Sequence, residues 1–395
     1  MKAFSKLVTR LAALEGDQWE LQLRAREMNE AGGDIIELTI GEPDVPTPHE
    51  MVDVCFQAIA NGRTRYSPAE GELSLRQTLA DKYSARTGRQ IGPDNFICYP
   101  GTQTALYAAM QLLAEPGDEV LLPDPYYATY EAVIRSTGAD IVPVPLHQHA
   151  GFRLQPEDLE DCITSRTKVL LLNNPHNPTG VNLNEDELRA IAEVCARHDL
   201  WIIADEVYEA LIFDQRFASL FDMDAFAERV IVVSSISKSH AAPGFRSGWM
   251  AASQEVCSAA IPPAVAMLFG NQPFIADMTT WALTHDVSVT ATMRDAYARR
   301  AKLAADALSR SDVLTPLPPQ AGMFLCVDVS ATGLSGSEFA NRLLDTESVA
   351  VMPGSSFGAG AAHLIRLSLT VPDQDIETAC ARICRFAAQV ALQPT

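Results

Sequence analysis

The chain predicts an α/β protein: a mostly parallel, seven-stranded sheet covered by helices, followed by a smaller α+β unit. Three observations carry this. Short, continuously apolar runs recur from about residue 95, helix-period segments lie between several of them, and the pattern changes after about residue 285. Runs such as Lys168-Val-Leu-Leu-Leu and Trp201-Ile-Ile-Ala lack the polar alternation of a half-exposed strand, so both faces are expected to be covered. Alternation with helices makes such a sheet mostly parallel.

Taken in order, residues 1–45 read as a helical arm leading through Ile35-Ile36-Glu37-Leu38-Thr39-Ile40 to a Gly-Glu-Pro-Asp turn at 41–44. Thr47-Pro48-His49-Glu50 then opens a helix to about Asn61. Threonine is placed to cap it, proline takes the first helical position, and Glu50 completes a capping box. Strands are expected at 95–99, 119–122, 140–144, 167–172, 200–204, 229–234 and 247–251, with helices such as 102–114 and 186–198 between them. Beyond residue 285 come a long helix (288–310), strands near 323–328 and 363–369, and a terminal helix (375–391). The expected units are 1–45, 46–285 and 286–395.

The formal charge of −20 over 395 residues argues against a nucleic-acid partner, which needs a basic footprint. The eight cysteines (55, 98, 162, 195, 257, 326, 380, 384) show no CxxC spacing and read as reduced, mostly buried thiols of a cytoplasmic protein. The first residues lack the apolar core of a signal peptide, and no run is long and apolar enough to span a membrane.

Ligands of an open parallel sheet sit at the carboxyl ends of its strands, so the polar residues there can be taken strand by strand. Gly101-Thr102-Gln103 stands at a helix start, where free N–H groups favour an anion. Tyr126 and Tyr127 follow the second strand, Asn173-Asn-Pro-His-Asn177-Pro-Thr-Gly180 the fourth, and Asp205-Glu-Val-Tyr208 the fifth. Ser235, Ser237 and Lys238 follow Val230-Ile-Val-Val, with Arg246 in the Pro-Gly-Phe-Arg run beyond. Each is explicable alone as a cap or a turn. Together they offer an anion nest, an aromatic face, an amide, a carboxylate with a phenol, and an amine. That set suits a carbonyl cofactor carrying a phosphate: the lysine amine attacks the carbonyl, and hydroxyls, N–H groups and Arg246 hold the phosphate.

Other features read as structure. Gly358-Ala-Gly360-Ala-Ala-His363 is one glycine short of a dinucleotide fingerprint. His147 and His149 have no third ligand nearby, so no metal site is assigned. Glu160-Asp161 and Asp186-Glu187 read as solvated helix faces.

With Asn-Pro-His-Asn-Pro-Thr-Gly, Ser-Xaa-Ser-Lys and Pro-Gly-Xaa-Arg in hand, the chain resembles the pyridoxal-phosphate-dependent aminotransferases of classes I and II, the fold type I group that includes aspartate aminotransferase. Ser-Lys-Ser-His at 237–240, Tyr-Glu-Ala-Val at 130–133 and Gly-Met-Phe at 322–324 make it most similar there to arginine:pyruvate transaminases. The resemblance implies pyridoxal 5′-phosphate as cofactor and amino acids and 2-oxo acids as substrates. It makes Lys238 the attachment point and proton carrier, and Asp205 the partner of the ring nitrogen. Asn177 and Tyr208 become donors to the ring 3-oxygen, and Tyr127 (with Tyr126 competing) the stacking face. Gly101, Thr102, Gln103, Ser235, Ser237 and Arg246 become the phosphate cradle. It implies a homodimer in which Tyr66 reaches the neighbour's phosphate, and it makes Arg366, aided by Gly41 and Asn177, the clamp on the substrate α-carboxylate.

Two departures stand out. The stretch Leu268-Phe-Gly-Asn-Gln-Pro273 lacks the hydroxyls common in relatives, and no lysine lies in 101–104, where some relatives that act on acidic substrates carry one. The family's arm closes over the site, and here it carries Gln18, Trp19 and Glu20. Trp19 is placed to wall the side-chain pocket, and Glu20 either pairs with a cationic donor or stands as a solvated helix residue. An aspartate or broad-specificity aminotransferase, and a β-lyase or decarboxylase on the same fold, are the alternatives. Cofactor residues are shared among them, and the reaction is chosen elsewhere in the pocket.

Overall fold

A computed structural model describes residues 4–12, 14 and 19–392. Its larger sheet has seven strands in the spatial order Phe96–Tyr99, Gly248–Ala251, Val230–Ser235, Trp201–Asp205, Thr167–Asn173, Glu119–Asp124 and Asp140–Pro145. Only Gly248–Ala251 runs against its neighbours. All seven expected strands are present, each within two residues of its expected ends.

The covering of both faces is visible residue by residue. Val230 and Val232 enter one apolar cluster with Ile202 and Leu170, while Ile231 and Val233 enter another with Ile203 and Val169. Side chains alternate across a strand, so a run without polar alternation feeds two cores at once. Each such side chain contributes about 1.5–3 kcal/mol by leaving water.

A five-stranded sheet has the order Ile36–Leu38, Val349–Pro353, Leu364–Ser368, Phe324–Asp328 and Thr315–Leu317. Its core is a third cluster, fed by one face of the helix Val289–Leu308 through Met293, Tyr297, Ala301, Ala304 and Leu308, a three-to-four residue spacing. The helix Asp373–Ala391 supplies Ile376, Cys380, Ile383 and Ala387 in the same way.

The arm holds helices Lys6–Ala12 and Glu20–Glu30, as expected, and the run it leads to contains a strand, Ile36–Leu38, paired in parallel with Val349–Pro353. Two expectations need correction. Thr47 does not cap the helix His49–Ala60, and no capping box with Glu50 forms. Its hydroxyl instead donates to the Ala241 carbonyl at 2.5 Å, and Pro48 occupies the cap position. The acidic helix faces are not merely solvated: Glu160 pairs with Arg197 and His198, and Glu187 pairs with Arg153 and closes a capping box on Asn184. The eight cysteines are free thiols. Among the described residues no helix is long and apolar enough to cross a membrane.

Candidate active site

A cleft of about 530 Å³ opens at the carboxyl ends of the parallel strands. Of the described residues singled out from the sequence for the site, all line it except Gly101, Tyr66, Tyr126 and Glu20.

Strand register places the central groups. Asn173 lies opposite Asp205, and Asp205 opposite Val233, so these two ends are level. Lys238 stands one step beyond, on the short helix Ile236–Ser239, whose start is capped by the Ser235 hydroxyl accepting from Ser237 N–H. Its Nζ donates to the Gly41 carbonyl at 2.5 Å. Burial pushes the Lys238 amine down to about 8; Glu42 opposes this, while Arg366 and Arg246 add to it. The Asp205 carboxyl is pushed up to about 6 by burial, against the pull of the Tyr130 hydroxyl, the Val207 N–H and Lys238.

At one end of the cleft the helix Thr102–Leu113 begins without a side-chain cap on its first N–H groups. Gly101 lies just behind it at φ +84, where an added Cβ would meet the Arg246 guanidinium at 2.2 Å. Glycine is favoured there by its positive φ, and a side chain would also push the Arg246 guanidinium aside. Arg246 itself sits at φ 53, an uncommon angle for a side-chain-bearing residue, and donates to the carbonyls of Pro243 and Pro100.

At the other end Arg366 is 4% exposed. It donates to Asn177 Oδ1 (3.0 Å) and to the Thr39 carbonyl (2.6 Å), with its guanidinium between the rings of Phe324 (3.9 Å) and Phe357 (4.4 Å). Burial lowers its pKa to about 10, so it stays charged at neutral pH. No carboxylate among the described residues forms an ion pair with it, and its Nε is buried without a partner. A buried cation so placed is costly unless an anion joins it.

Tyr127, and not Tyr126, faces the cleft; Tyr126 turns to a separate apolar pocket and its hydroxyl approaches Glu131 at 3.5 Å. Tyr208 receives the Asn177 amide at 3.5 Å. Trp19 lines the cleft as expected; Glu20 does not, and Gln18 lies outside the described residues. Besides Asp205, the carboxylate lining the cleft is that of Glu42. Two further residues went unassigned in the sequence. Asn173 donates to the Asp205 carbonyl and accepts from Asn177 N–H, and Tyr130 donates to Asp205 Oδ2. The Asn173 role had a signal, its place in the same Asn-Pro run as Asn177.

Gly358 and Gly360 turn out to close on Asp124, the Gly360 N–H donating to its carboxylate at 3.0 Å. His147 and His149 stack on each other with centroids 5.1 Å apart.

The site fits a phosphorylated pyridine aldehyde and an amino acid. One end offers hydroxyls, free helix N–H groups, Arg246 and the buried, unpartnered Thr102 hydroxyl. The middle holds the amine and the carboxylate, and the far end a buried arginine with an open donor.

The family model described as aminotransferase class I and II matches residues 33–383. The chain is 40% identical over 387 residues to the arginine–pyruvate transaminase AruH of Pseudomonas aeruginosa, covering 98% of each. It is 31% identical to the aspartate aminotransferase of Bacillus subtilis, covering 96% of this chain and 98% of that one. The aspartate aminotransferase of Thermus thermophilus with maleate superposes with a TM-score of 0.91 at 30% identity, over 98% of this chain and 100% of that one. Family, fold and cleft chemistry converge: the chain belongs to the class I and II aminotransferases and is a pyridoxal-phosphate-dependent transaminase of fold type I.

Proposed function

We propose that this transaminase takes an L-amino acid with a cationic or neutral side chain, arginine first, and passes its amino group to pyruvate in a ping-pong cycle. One observation carries the donor class. The cations lining the cleft among the described residues are Lys238, Arg246 and Arg366, and all three serve the reaction centre. Within one chain none is left for the distal carboxylate of a dicarboxylic donor, whereas Trp19 and Glu42 stand in the wall. The similarity to AruH agrees with this.

When bound, pyridoxal phosphate supplies the aldehyde that takes the amino group and the ring that spreads negative charge from Cα. The chain's residues do the rest. Arg366 grips the α-carboxylate and orients Cα toward Lys238, whose depressed pKa suits it to carry the proton there. Asp205 holds the proton at the ring nitrogen, and Asn177 and Tyr208 donate toward the ring 3-oxygen. Tyr127 covers a ring face, while Ser235, Ser237, Arg246 and the N–H groups at 101–103 hold the phosphate. We assign the units as 1–45 with 286–395, which share the five-stranded sheet, and 46–285. The free, mostly buried thiols support a cytoplasmic setting.

The donor reading is tested by screening donors against pyruvate and 2-oxoglutarate with detection of the oxo product. Arginine or lysine should exceed aspartate in kcat/KM, and Glu42→Gln should raise KM for the cationic donor far more than for alanine. A charge-assisted contact contributes about 1.5–3 kcal/mol, about ten- to a hundredfold. Aspartate as best donor would return the protein to the aspartate or broad class; release of ammonia without transfer would indicate lyase chemistry.

A homodimer completes the proposal. Tyr66 is 85% exposed and packs edge-on against Phe269, itself 58% exposed, with ring centroids at 5.0 Å. Exposed aromatics in a pair support burial by a second copy. Sedimentation should give a two-chain species, and Tyr66→Phe should weaken cofactor retention. A monomer with full activity would remove Tyr66 from the site.

A further inference from the structure

Asp205 does not stand alone at its strand end. Its Oδ1 accepts the Val207 N–H at 3.1 Å, and its Oδ2 accepts the Tyr130 hydroxyl at 2.8 Å. Tyr130 is 2% exposed and opens the helix Tyr130–Thr137. Its backbone N–H donates to the Tyr127 carbonyl at 2.9 Å, and its ring meets that of Tyr127 edge-on, with centroids 5.5 Å apart and planes at 86°. One side chain therefore touches both the aromatic face of the cleft and the carboxylate at its floor.

We propose that Tyr130 is a positioning residue for transamination: its phenol fixes the direction of the Asp205 carboxylate and keeps it an anion, so that the proton stays on the cofactor's ring nitrogen. This rests on the role given to Asp205 above. The physical case has two parts. A carboxylate with a donor on each oxygen cannot swing about its last torsion without breaking one of them. A buried carboxylate also drifts toward its neutral form, and hydrogen bonds to the charged form oppose the drift. Here burial raises Asp205 while the Tyr130 hydroxyl is the foremost counterweight, ahead of Val207 and Lys238. Burial and the neighbouring Asp205 hold the Tyr130 phenol far above its ordinary value, so it remains a donor across the working pH range. Tyr127 and Tyr208 also face this pair, and both phenols are pushed up by burial, so neither competes as an anion.

Tyr130→Phe removes one oxygen and leaves the ring against Tyr127. In the holoenzyme carrying ¹⁵N-labelled pyridoxal phosphate, the ring-nitrogen shift should move toward that of the unprotonated ring. Losing one hydrogen bond to a charged group should lower kcat about ten- to a hundredfold, with donor KM within about twofold. An unmoved nitrogen shift, or a loss confined to KM and thermal stability, overturns the proposal. Asp205→Asn run beside it separates the two ideas. If the nitrogen stays protonated in that variant, the role of Asp205 itself falls; if it changes there but not in Tyr130→Phe, only Tyr130 falls. Should the phenylalanine variant not fold, 3-fluorotyrosine placed at 130 makes a stronger donor. It should then shift the nitrogen the opposite way, and no shift is again a refutation.

Discussion

Lys238→Ala is expected to lose transamination by at least the 10²- to 10⁴-fold or so that a positioned proton carrier contributes, and to lose covalent retention of the cofactor as well. Lys238 is half-buried, its amine lies 2.5 Å from the Gly41 carbonyl, and desolvation pushes it down to about 8. An exposed lysine titrates near 10.4, so at neutral pH Lys238 has a far larger neutral fraction than its surface counterparts. The sign follows: reactivity toward a carbonyl should rise as pH passes through about 8, where the ammonium gives up its proton. Borohydride reduction of the holoenzyme followed by peptide mapping should place the pyridoxyl label on Lys238. A label on Lys302, Lys82 or any other lysine sinks the assignment.

Asp205→Ala carries the second large effect. The cofactor should still bind, because the phosphate cradle and Lys238 are untouched. Without a carboxylate at the ring nitrogen, charge at Cα is no longer drawn into the ring, and kcat should fall by about 10²- to 10³-fold, the scale of removing one preorganised electrostatic partner. The alanine variant also strands the buried Tyr130 hydroxyl, which costs about 1–3 kcal/mol of stability. Asp205→Asn is the better comparison for rate, since its amide fills the same space. Single-turnover measurements with a saturating donor decide the matter, and a rate near that of the parent protein would refute the reading.

The legible part of this molecule is the part whose signal is local. Val230-Ile-Val-Val announces a doubly buried strand by composition alone, and Ser235-Ile-Ser-Lys238 announces itself by following it. What escaped depends on distant partners. Thr47 has every mark of a helix cap, yet its hydroxyl is taken by a carbonyl 194 residues away. Tyr130 is one aromatic among several until its hydroxyl meets a carboxylate 75 positions on. Glu20 and Glu42 are equally acidic on paper, and only the packing of the arm shows which of them lines the cleft. Ile36–Leu38 and Thr315–Leu317 are three residues each, too short for a period to declare itself.

The pairing of Ile36–Leu38 with Val349–Pro353 has a consequence for the life of the chain on the ribosome. All seven strands of the larger sheet have been made once Ala251 emerges, and domains tend to fold as they appear. The stretch before them must wait, since its neighbours in the five-stranded sheet are among the last segments translated. Arg366 reaches the Thr39 carbonyl across 327 residues, so this buried guanidinium, the proposed carboxylate grip, is set only when the two stretches meet. Closing so long a loop costs only slightly more entropy than closing a shorter one, but it comes late. A nascent chain can therefore present the lysine, the aspartate and the anion nest before it can hold an amino acid. On the roles proposed above, the strand-end residues for the prosthetic group are made before the substrate end of the cleft is joined.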